Sequence, residues 1–463
     1  MPNLDEIKGW LADRMPALLA EHQVPGAAIA VCADGQVVEH AAGVLSKATG
    51  VEATSDSVFQ VGSITKVWTS TLVMQLVDEG KVDLDAPVRR YLSGFRVADE
   101  AAASVITVRQ LLCHTAGFEG DIFTDTGAGE DCVEKFVATL TATSQLFAPG
   151  EMFSYCNAGF CVLGRVVEVL RDKPFDACVR DHLFTPLGLT HAANGAQEAI
   201  LYRAAVGHLQ PSPDAQPQPA PVWSLARSNA PAGSMLTMRP RDLVSFARMH
   251  ASGGTAADGT VVLSADSVKA MQEQQVKLPN LGLMAAAWGL GWELFDWPGG
   301  TVIGHDGATI GQAAFLRVVP DRDVTVALLT NGGNPIAVYR EIYGHLLREL
   351  AGVELPPLPV PPADPERIDA ARYVGTYSCD VAELTVSEDQ DGRVWLEQVP
   401  KGALAELVGQ AERQELLRLD GDTLISVQAQ HGMHSQHVFV GRDGNGRALY
   451  IHSGRAIRRV TEP

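Results

Sequence analysis

The sequence predicts an α+β protein in which an antiparallel sheet flanked by helices is followed by a small antiparallel β-barrel. A hairpin pattern near the N-terminus and strand patterns near residue 300 enclose a mostly helical middle. This order fits one sheet built from both ends of the chain, with an all-helical subdomain between its halves. A proline-rich stretch then precedes a C-terminal part that has strand patterns throughout. We therefore predict a catalytic domain at 1–353, a linker at 354–367 and a barrel domain at 368–463.

The spacing of apolar residues predicts the elements of the first domain in turn. Apolar residues at helical spacing predict an amphipathic first helix, which Pro25 and Gly26 end. The next residues form a hairpin pattern, AAIAVC and QVVEHAAG on either side of ADG. Near Trp288 the period changes to two, and successive antiparallel strands are predicted at WGLGWELF, GTVIGHDG, AAFLRVVP and VTVALLTN. A closing helix is predicted at PIAVYREIYGHLLREL.

Composition argues against several classes of partner and cofactor. The formal net charge is -19, whereas nucleic acids and anionic membranes are bound by clustered cations, so we expect neither as a partner. Charged residues near the N-terminus interrupt any signal peptide, and we expect a cytoplasmic protein. The seven cysteines form no CxxC pair and are expected to be free, buried thiols. The histidines of HGMHSQH are expected to form a polar turn rather than a metal site, and no cofactor is predicted.

A serine and a lysine stand at the start of a helix that is predicted to be buried. Ser63 and Lys66 precede a run without charge from Val67 to Val77, and Gly80 suits the C-terminal end of this helix. Residues three apart share a helix face, so the hydroxyl and the amine can touch. Burial and the helix dipole both disfavour an ammonium group there, and a neutral lysine beside a serine is a general base beside a nucleophile.

The alternative is that Ser63 caps the helix and that Lys66 extends along the surface. The S-x-x-K pattern occurs about once by chance in a chain of this length, so it needs partners elsewhere in the sequence.

Two further motifs follow in order, YCN at 155–157 and HDG at 305–307. With S-x-x-K, they resemble the Y-x-N and H-x-G elements of the serine β-lactamase and penicillin-binding-protein superfamily, over about residues 5–350. H-x-G alone is a weak signal, since residues 452–454 match it too. The surrounding sequence also resembles the superfamily, in LLCHTAGF, PAGSMLTMRPRDL and GLGWEL.

The resemblance implies a β-lactamase-like fold and acyl transfer through a nucleophilic Ser63. Lys66 and Tyr155 would share the proton, and a tyrosine between two cationic groups could act as a phenolate. Asn157 is expected to hold the Lys66 amine and a substrate amide. His305 is expected to hydrogen-bond the tyrosine hydroxyl or a substrate carboxylate.

Further residues are expected to bind the substrate. The resemblance implies that the backbone N–H groups of Ser63 and Ala308 form an oxyanion hole. Gly307 would let the substrate lie against its strand as an added strand. The arginine-rich end of the barrel, with Arg447 and Arg455, is either a set of solvated strand faces or a carboxylate or phosphate clamp at the active site. Solvated strand faces are the favoured interpretation and the clamp is the functional hypothesis; in either case we expect the barrel to border the active site.

Departures from the β-lactamase pattern narrow the function. His305 stands where β-lactamases have the lysine of K-T-G, which argues against antibiotic hydrolysis. The expected lack of an export signal argues against a periplasmic β-lactamase and a cell-wall transpeptidase. The remaining H-x-G groups are D-stereospecific aminopeptidases and amidases, esterases, and stand-alone penicillin-binding-protein-type thioesterases.

The last of these groups acts in the cytosol on nonribosomal peptides held as thioesters on carrier proteins. It joins the peptide ends into a ring, usually with a D-residue at the carboxyl end, and carries a small lipocalin-like barrel. On this resemblance we predict a trans-acting thioesterase that cyclises a peptidyl thioester, with a peptidyl carrier protein as a candidate partner. The alternatives are a D-stereospecific peptidase, amidase or esterase, and a non-enzymatic acyl sensor or binding module; the presence of Ser63, Lys66 and Tyr155 favours turnover.

Overall fold

The structure is a computed structural model and describes residues 4–210, 215–282, 284–401 and 411–460. The outer limits of the predicted domains, residues 1 and 463, lie outside these ranges. The helices are α1 (Leu4–Glu21), α2 (Thr65–Asp78), α3 (Glu100–Val105), α4 (Val108–Leu112), α5 (Cys132–Thr139), α6 (Asn157–Arg171), α7 (Phe175–Val179), α8 (Ala196–Ala199), α9 (Pro240–Ala251), α10 (Ala265–Gln272) and α11 (Pro335–Ala351).

The strands fall into a large sheet, a barrel and two small sheets, one of three strands and one of two. Those before the barrel are β1 (Gly26–Ala33), β2 (Gln36–Gly43), β3 (Phe59–Gln60), β4 (Ala192–Asn194), β5 (His208–Leu209), β6 (Gln218–Pro219), β7 (Leu236–Met238), β8 (Val276–Lys277), β9 (Ala287–Trp288), β10 (Glu293–Trp297), β11 (Gly300–Ala308), β12 (Ala313–Val319) and β13 (Val324–Thr330). Those of the barrel are β14 (Gly375–Ser378), β15 (Ala382–Glu388), β16 (Val394–Pro400), β17 (Glu412–Asp420), β18 (Thr423–Ser426), β19 (Gln436–Val440), β20 (Tyr450–His452) and β21 (Ala456–Arg459).

One eight-stranded antiparallel sheet joins the two ends of the first domain. Its strand order is β2-β1-β13-β12-β11-β10-β9-β8, so the N-terminal hairpin pairs with the strand that precedes the closing helix. The predicted sheet built from both ends is confirmed.

The sheet separates two hydrophobic cores, because successive side chains of a strand point to opposite faces. In β1, Ile29 and Val31 pack with α1 and α11, whereas Ala28 and Ala30 belong to the core that contains α2 and α9. The active-site helix therefore lies under one face of the sheet, surrounded by helices.

Helix α2 is buried along almost its whole length, as the uncharged run from Val67 to Val77 predicts. Trp68 stacks on Phe246 of α9 with ring centroids 3.8 Å apart, which anchors the first turns of the helix. Gly80 has φ +70° and donates its N–H to the Val77 carbonyl at 2.9 Å, the predicted C-terminal end. The N-terminal turn of α2 is consequently fixed against the sheet.

The predicted C-terminal barrel is confirmed as a closed sheet of eight strands in which β14 pairs with β21. It packs against the first domain, where Tyr450 lies edge-on to Phe147 and its hydroxyl donates to the Leu146 carbonyl at 3.3 Å. The cysteines are free thiols, buried except for the half-buried Cys379. No helix in the described ranges combines the length and apolar character needed to cross a bilayer.

Candidate active site

Ser63 and Lys66 meet at the start of α2. Ser63 lies in a 3₁₀ turn, Gly62–Ile64, and its Oγ accepts a hydrogen bond from Lys66 Nζ at 2.9 Å. The same amine donates to the Ala232 carbonyl at 2.6 Å. Lys66 is fully buried, and the N-cap position of α2 is Ile64, without a side-chain cap. The geometry therefore excludes both the capping serine and the surface lysine.

Burial favours the neutral, unprotonated form of the Lys66 amine. Loss of hydration disfavours the ammonium form and lowers the pKa of Lys66 to about 7, with Arg455 adding to the effect by charge repulsion. Near neutral pH a large fraction of the amine is thus unprotonated while in hydrogen-bond contact with Ser63. An amine in this state can accept the serine proton.

This pKa gives a testable pH dependence. A base with its pKa depressed to about 7 is protonated below that pH, so we expect the rate of enzyme acylation to rise with pH and to level off above about 7. Burial also lowers the pKa of His305 to about 3, so that imidazole stays neutral throughout this range and adds no second step. The measurement is single-turnover acylation between roughly pH 5 and 9. The Lys66→Met variant should lack the step, and a profile that is flat across pH 7 in the wild-type protein would contradict the assignment.

Tyr155 stands beside both groups. Its hydroxyl is close enough to that of Ser63 for Ser63 to lower the Tyr155 pKa, and Lys66 Nζ and the Arg455 guanidinium carbon each lie 4.8 Å from its ring centroid. Burial raises the pKa of Tyr155 above its usual value, against the opposing effects of Ser63 and Arg455. The predicted flanking basic groups are present, but burial favours the neutral phenol over a phenolate. Tyr155 is then suited to relaying a proton rather than to removing it alone.

Asn157 and Arg455 are linked through Asp121. Asn157 Nδ2 donates to Asp121 Oδ1 at 2.7 Å, and Arg455 Nε lies 2.8 Å from Asp121 Oδ2. The expected contact between Asn157 and Lys66 is not among the hydrogen bonds of the described residues, where Lys66 contacts Ser63 and the Ala232 carbonyl. Asp121 therefore connects the first turn of α6 to the barrel.

The two predicted barrel arginines differ in position. Arg455 borders Tyr155, whereas Arg447 pairs with Asp443 in the turn before β20, at 2.8 Å. The structure thus brings Arg455 into the site and leaves Arg447 outside it.

His305 lies on β11 with one nitrogen available. Its Nδ1 donates to the Asp306 carbonyl at 2.6 Å, so in the neutral ring Nε2 is an acceptor, and Nε2 has no partner within the described residues. The Tyr155 ring centroid lies 6.4 Å away. Two partners were predicted for His305, the tyrosine hydroxyl and a substrate carboxylate. An accepting Nε2 suits the tyrosine hydroxyl, which can donate a hydrogen bond, better than a carboxylate, which cannot.

Strand β11 lies directly against the turn that carries Ser63. A Cβ atom on Gly307 would stand 1.9 Å from the Val61 carbonyl oxygen, and one on Gly62 would stand 2.6 Å from Ala308 N. Gly62 also has φ +52°, a conformation that favours glycine. This close approach places the backbones of residues 63 and 308 side by side, as an oxyanion hole requires.

The other edge of β11 is available for a substrate. Pairing with β10 ends at Gly304, while residues 305–308 pair only with β12 among the described strands. An extended peptide could add to this edge by main-chain hydrogen bonds, next to Ser63.

A cavity of about 510 Å³ lies between the barrel and the first domain. Its wall includes Asp121 and Arg455, which connect it to the Tyr155 side of the site, and its volume lies within the range of small-molecule binding sites. The histidines of HGMHSQH also line it, but no group of three or more potential metal-ligand side chains is found in the described residues.

Comparison with known proteins agrees with this geometry. A family model described as Beta-lactamase matches residues 11–349. The chain belongs to the Beta-lactamase family. It is accordingly a serine hydrolase of the β-lactamase and penicillin-binding-protein superfamily, as the three motifs predicted.

Individual relatives cover more of the chain. Penicillin-binding protein 4 of Amycolatopsis lactamdurans is 48% identical over 367 residues, which are 79% of this chain and 96% of that protein. A crystal structure of SurE with D-Leu is 30% identical with a TM-score of 0.77 and covers 98% of this chain and 99% of its own. An octameric penicillin-binding protein homologue from Pyrococcus abyssi, at 22% identity, shows the same fold with a TM-score of 0.65 over 94% of this chain and 96% of its own.

Sequence reasoning missed two members of the site. Ala232 contributes only a carbonyl, which every residue type possesses, so side-chain pattern could not single it out. Asp121 lies in no motif, and its contacts with Asn157 and Arg455 depend on how the two domains pack. For Ala232 the signal was indirect, since it lies in the quoted segment PAGSMLTMRPRDL.

Proposed function

We propose that the protein is a trans-acting thioesterase that forms an acyl-enzyme on Ser63 and releases a nonribosomal peptide as a macrocycle. The observation that carries the acyl step is a serine hydroxyl in hydrogen-bond contact with a fully buried lysine amine at 2.9 Å. The sequence resemblance to penicillin-binding-protein-type thioesterases supports the choice of substrate class.

In the acylation step, Lys66, with Tyr155 as relay, takes the hydroxyl proton while Ser63 Oγ attacks the thioester carbonyl. The N–H groups of Ser63 and Ala308 stabilise the oxyanion. The carbon–sulfur bond then breaks, and the departing thiol takes the proton back from the Lys66 and Tyr155 pair. The result is a peptidyl ester on Ser63.

In the second step an amine displaces Ser63 Oγ. The amino end of the same peptide attacks the carbonyl carbon of the Ser63 ester and gives up a proton to Lys66. The bond between that carbon and Ser63 Oγ then breaks, and Oγ takes the proton as the ring is released. Water at about 55 M competes, but a well-oriented intramolecular group can reach an effective molarity of 10⁵–10⁸ M. The cavity beside Arg455 offers space in which the peptide can fold back.

The carboxyl-terminal residue of the substrate is proposed to be a D-residue. The solved relative SurE holds D-Leu and matches this chain over nearly its whole length. An extended peptide end along residues 305–308 would present its carbonyl to Ser63 from the open edge of β11. We further propose delivery of the thioester by a peptidyl carrier protein in the cytoplasm.

The products formed from two peptidyl thioesters that differ only in the chirality of the carboxyl-terminal residue test this proposal. We expect a peptidyl thioester of about five to ten residues with a D-residue at its carboxyl end to leave mostly as a ring, since its amine is held near the ester. The L-epimer should acylate slowly, because its carbonyl is misplaced relative to the Ser63 and Ala308 donors. Mass spectrometry separates the products, since the ring is one water lighter than the acid. The Ser63→Ala variant measures spontaneous thioester hydrolysis.

The same experiment distinguishes a cyclase from a D-stereospecific hydrolase or esterase. If every substrate gives only linear acid, and D-amino acid amides or small esters react faster, the protein is a D-stereospecific hydrolase or esterase and not a cyclase.

A further inference from the structure

The segment that carries Tyr155 is held by the barrel. We propose that the turn between β20 and β21, residues 452–456, is a positioning element for Tyr155, so that the barrel completes the active site. This proposal rests on Tyr155 acting in proton transfer to and from Ser63, and not on the fate of the product. It concerns the second H-x-G sequence of the chain, at 452–454, to which the motif analysis gave no role.

Two hydrogen bonds attach this turn to the main chain around Tyr155. The Tyr155 N–H donates to the Gly454 carbonyl at 3.0 Å. His452 Nε2 donates to the Phe153 carbonyl at 2.7 Å. Gly454 N–H in turn donates to His452 Nδ1 at 3.2 Å, which fixes the ring tautomer with its proton on Nε2. The turn is thus preorganised to hold residues 153 and 155.

A third hydrogen bond and an aromatic contact complete this side. The Ala456 N–H donates to Ser154 Oγ at 3.1 Å, and the Arg455 guanidinium lies over the Tyr155 ring. Three consecutive residues of the first domain therefore each have a barrel partner. Tyr155 is almost fully buried, so the loss of these partners would leave polar groups unsatisfied and the segment free to shift.

His114 of the first domain holds the same segment from the opposite side. Its carbonyl accepts from Ser154 N–H at 2.8 Å, and its Nδ1 accepts from Cys156 N–H at 3.0 Å. Its ring stacks on that of Tyr155 with centroids 4.4 Å apart and planes 27° from parallel. The phenol is therefore fixed between His114 and the barrel turn, and its hydroxyl is directed at Ser63 by contacts from both domains.

His452 variants of the full-length protein test the proposal. His452→Leu removes the donor to the Phe153 carbonyl, and we expect the single-turnover acylation rate to fall by about 10- to 100-fold, with KM within about twofold, since a small misplacement of a catalytic group has effects of this size. His452→Gln places an amide donor near the Nε2 position and should recover most of the rate. The matched control is Tyr373→Phe, which removes a hydrogen bond to Asp422 elsewhere in the barrel and should leave acylation unchanged.

A double-mutant cycle separates positioning from general damage. If His452 acts through the Tyr155 hydroxyl, His452→Leu should change acylation by less than about twofold in a Tyr155→Phe background. An equal loss in both backgrounds, a loss confined to KM, an equal loss in Tyr373→Phe, or no loss at all would overturn the proposal.

A second variant covers the case in which His452→Leu does not fold. Ser154→Ala removes the acceptor of the Ala456 N–H from within the first domain. We expect acylation to fall by about 3- to 10-fold with unchanged KM and a retained circular dichroism spectrum. An unchanged acylation rate in folded Ser154→Ala would then overturn the proposal.

Discussion

Ser63→Ala should lower turnover of a peptidyl thioester by a factor on the order of 10⁶ and abolish labelling by a serine-reactive phosphonate. The reason is that Ser63 Oγ is the hydroxyl to which the buried Lys66 amine is hydrogen-bonded, with Tyr155 beside it. Steady-state kinetics and intact protein mass measure the two effects.

Ser70→Ala is the matched control for this variant. Ser70 is a buried serine within α2, and its hydroxyl has no hydrogen-bond partner within the described residues. We expect its replacement to leave labelling intact. Normal activity in Ser63→Ala would remove the basis of the proposed function.

Tyr155→Phe should reduce the acylation rate by roughly 10²- to 10⁴-fold, the usual contribution of a group that transfers protons. The change deletes the hydroxyl beside Ser63 but keeps the ring between His114 and Arg455. Single-turnover acylation with the same thioester measures the effect.

Asn157→Ala is the comparison for Tyr155→Phe. Its amide donates to Asp121 and has no described contact with Lys66, so we expect a smaller loss. Equal and mild losses in both variants would assign proton transfer to Lys66 alone.

The sequence was sufficient where side-chain chemistry is tied to local geometry. Ser63 lies in the 3₁₀ turn that leads directly into α2 and Lys66 lies in the first turn of α2, so their contact follows from the three-residue spacing. The uncharged run of α2 predicted its burial, and burial in turn sets the depressed pKa of Lys66. The strand patterns near residue 300 likewise gave the central sheet, because alternation along a strand reflects its two faces.

The sequence was insufficient where backbone groups or interdomain packing decide the contact. Every residue has a carbonyl, so no pattern of side chains could single out those of Ala232 and Gly454. These two carbonyls nevertheless accept hydrogen bonds from the Lys66 amine and the Tyr155 N–H. Arg447 and Arg455 are alike in sequence context, and only the fold of the β20–β21 turn brings Arg455 against Tyr155. The sequence could not decide whether Tyr155 is a phenolate or a neutral phenol, since this protonation state depends on how deeply the side chain is buried.

Tandem mass spectrometry of enzyme quenched during turnover tests most directly whether the peptide is carried on Ser63. With a D-terminated peptidyl thioester, we expect an adduct of the peptidyl mass on the fragment that contains Ser63, formed at a rate that rises through about pH 7 with the neutral Lys66 amine. An adduct on another residue, or continued turnover with no adduct on Ser63, would contradict the acyl-enzyme mechanism.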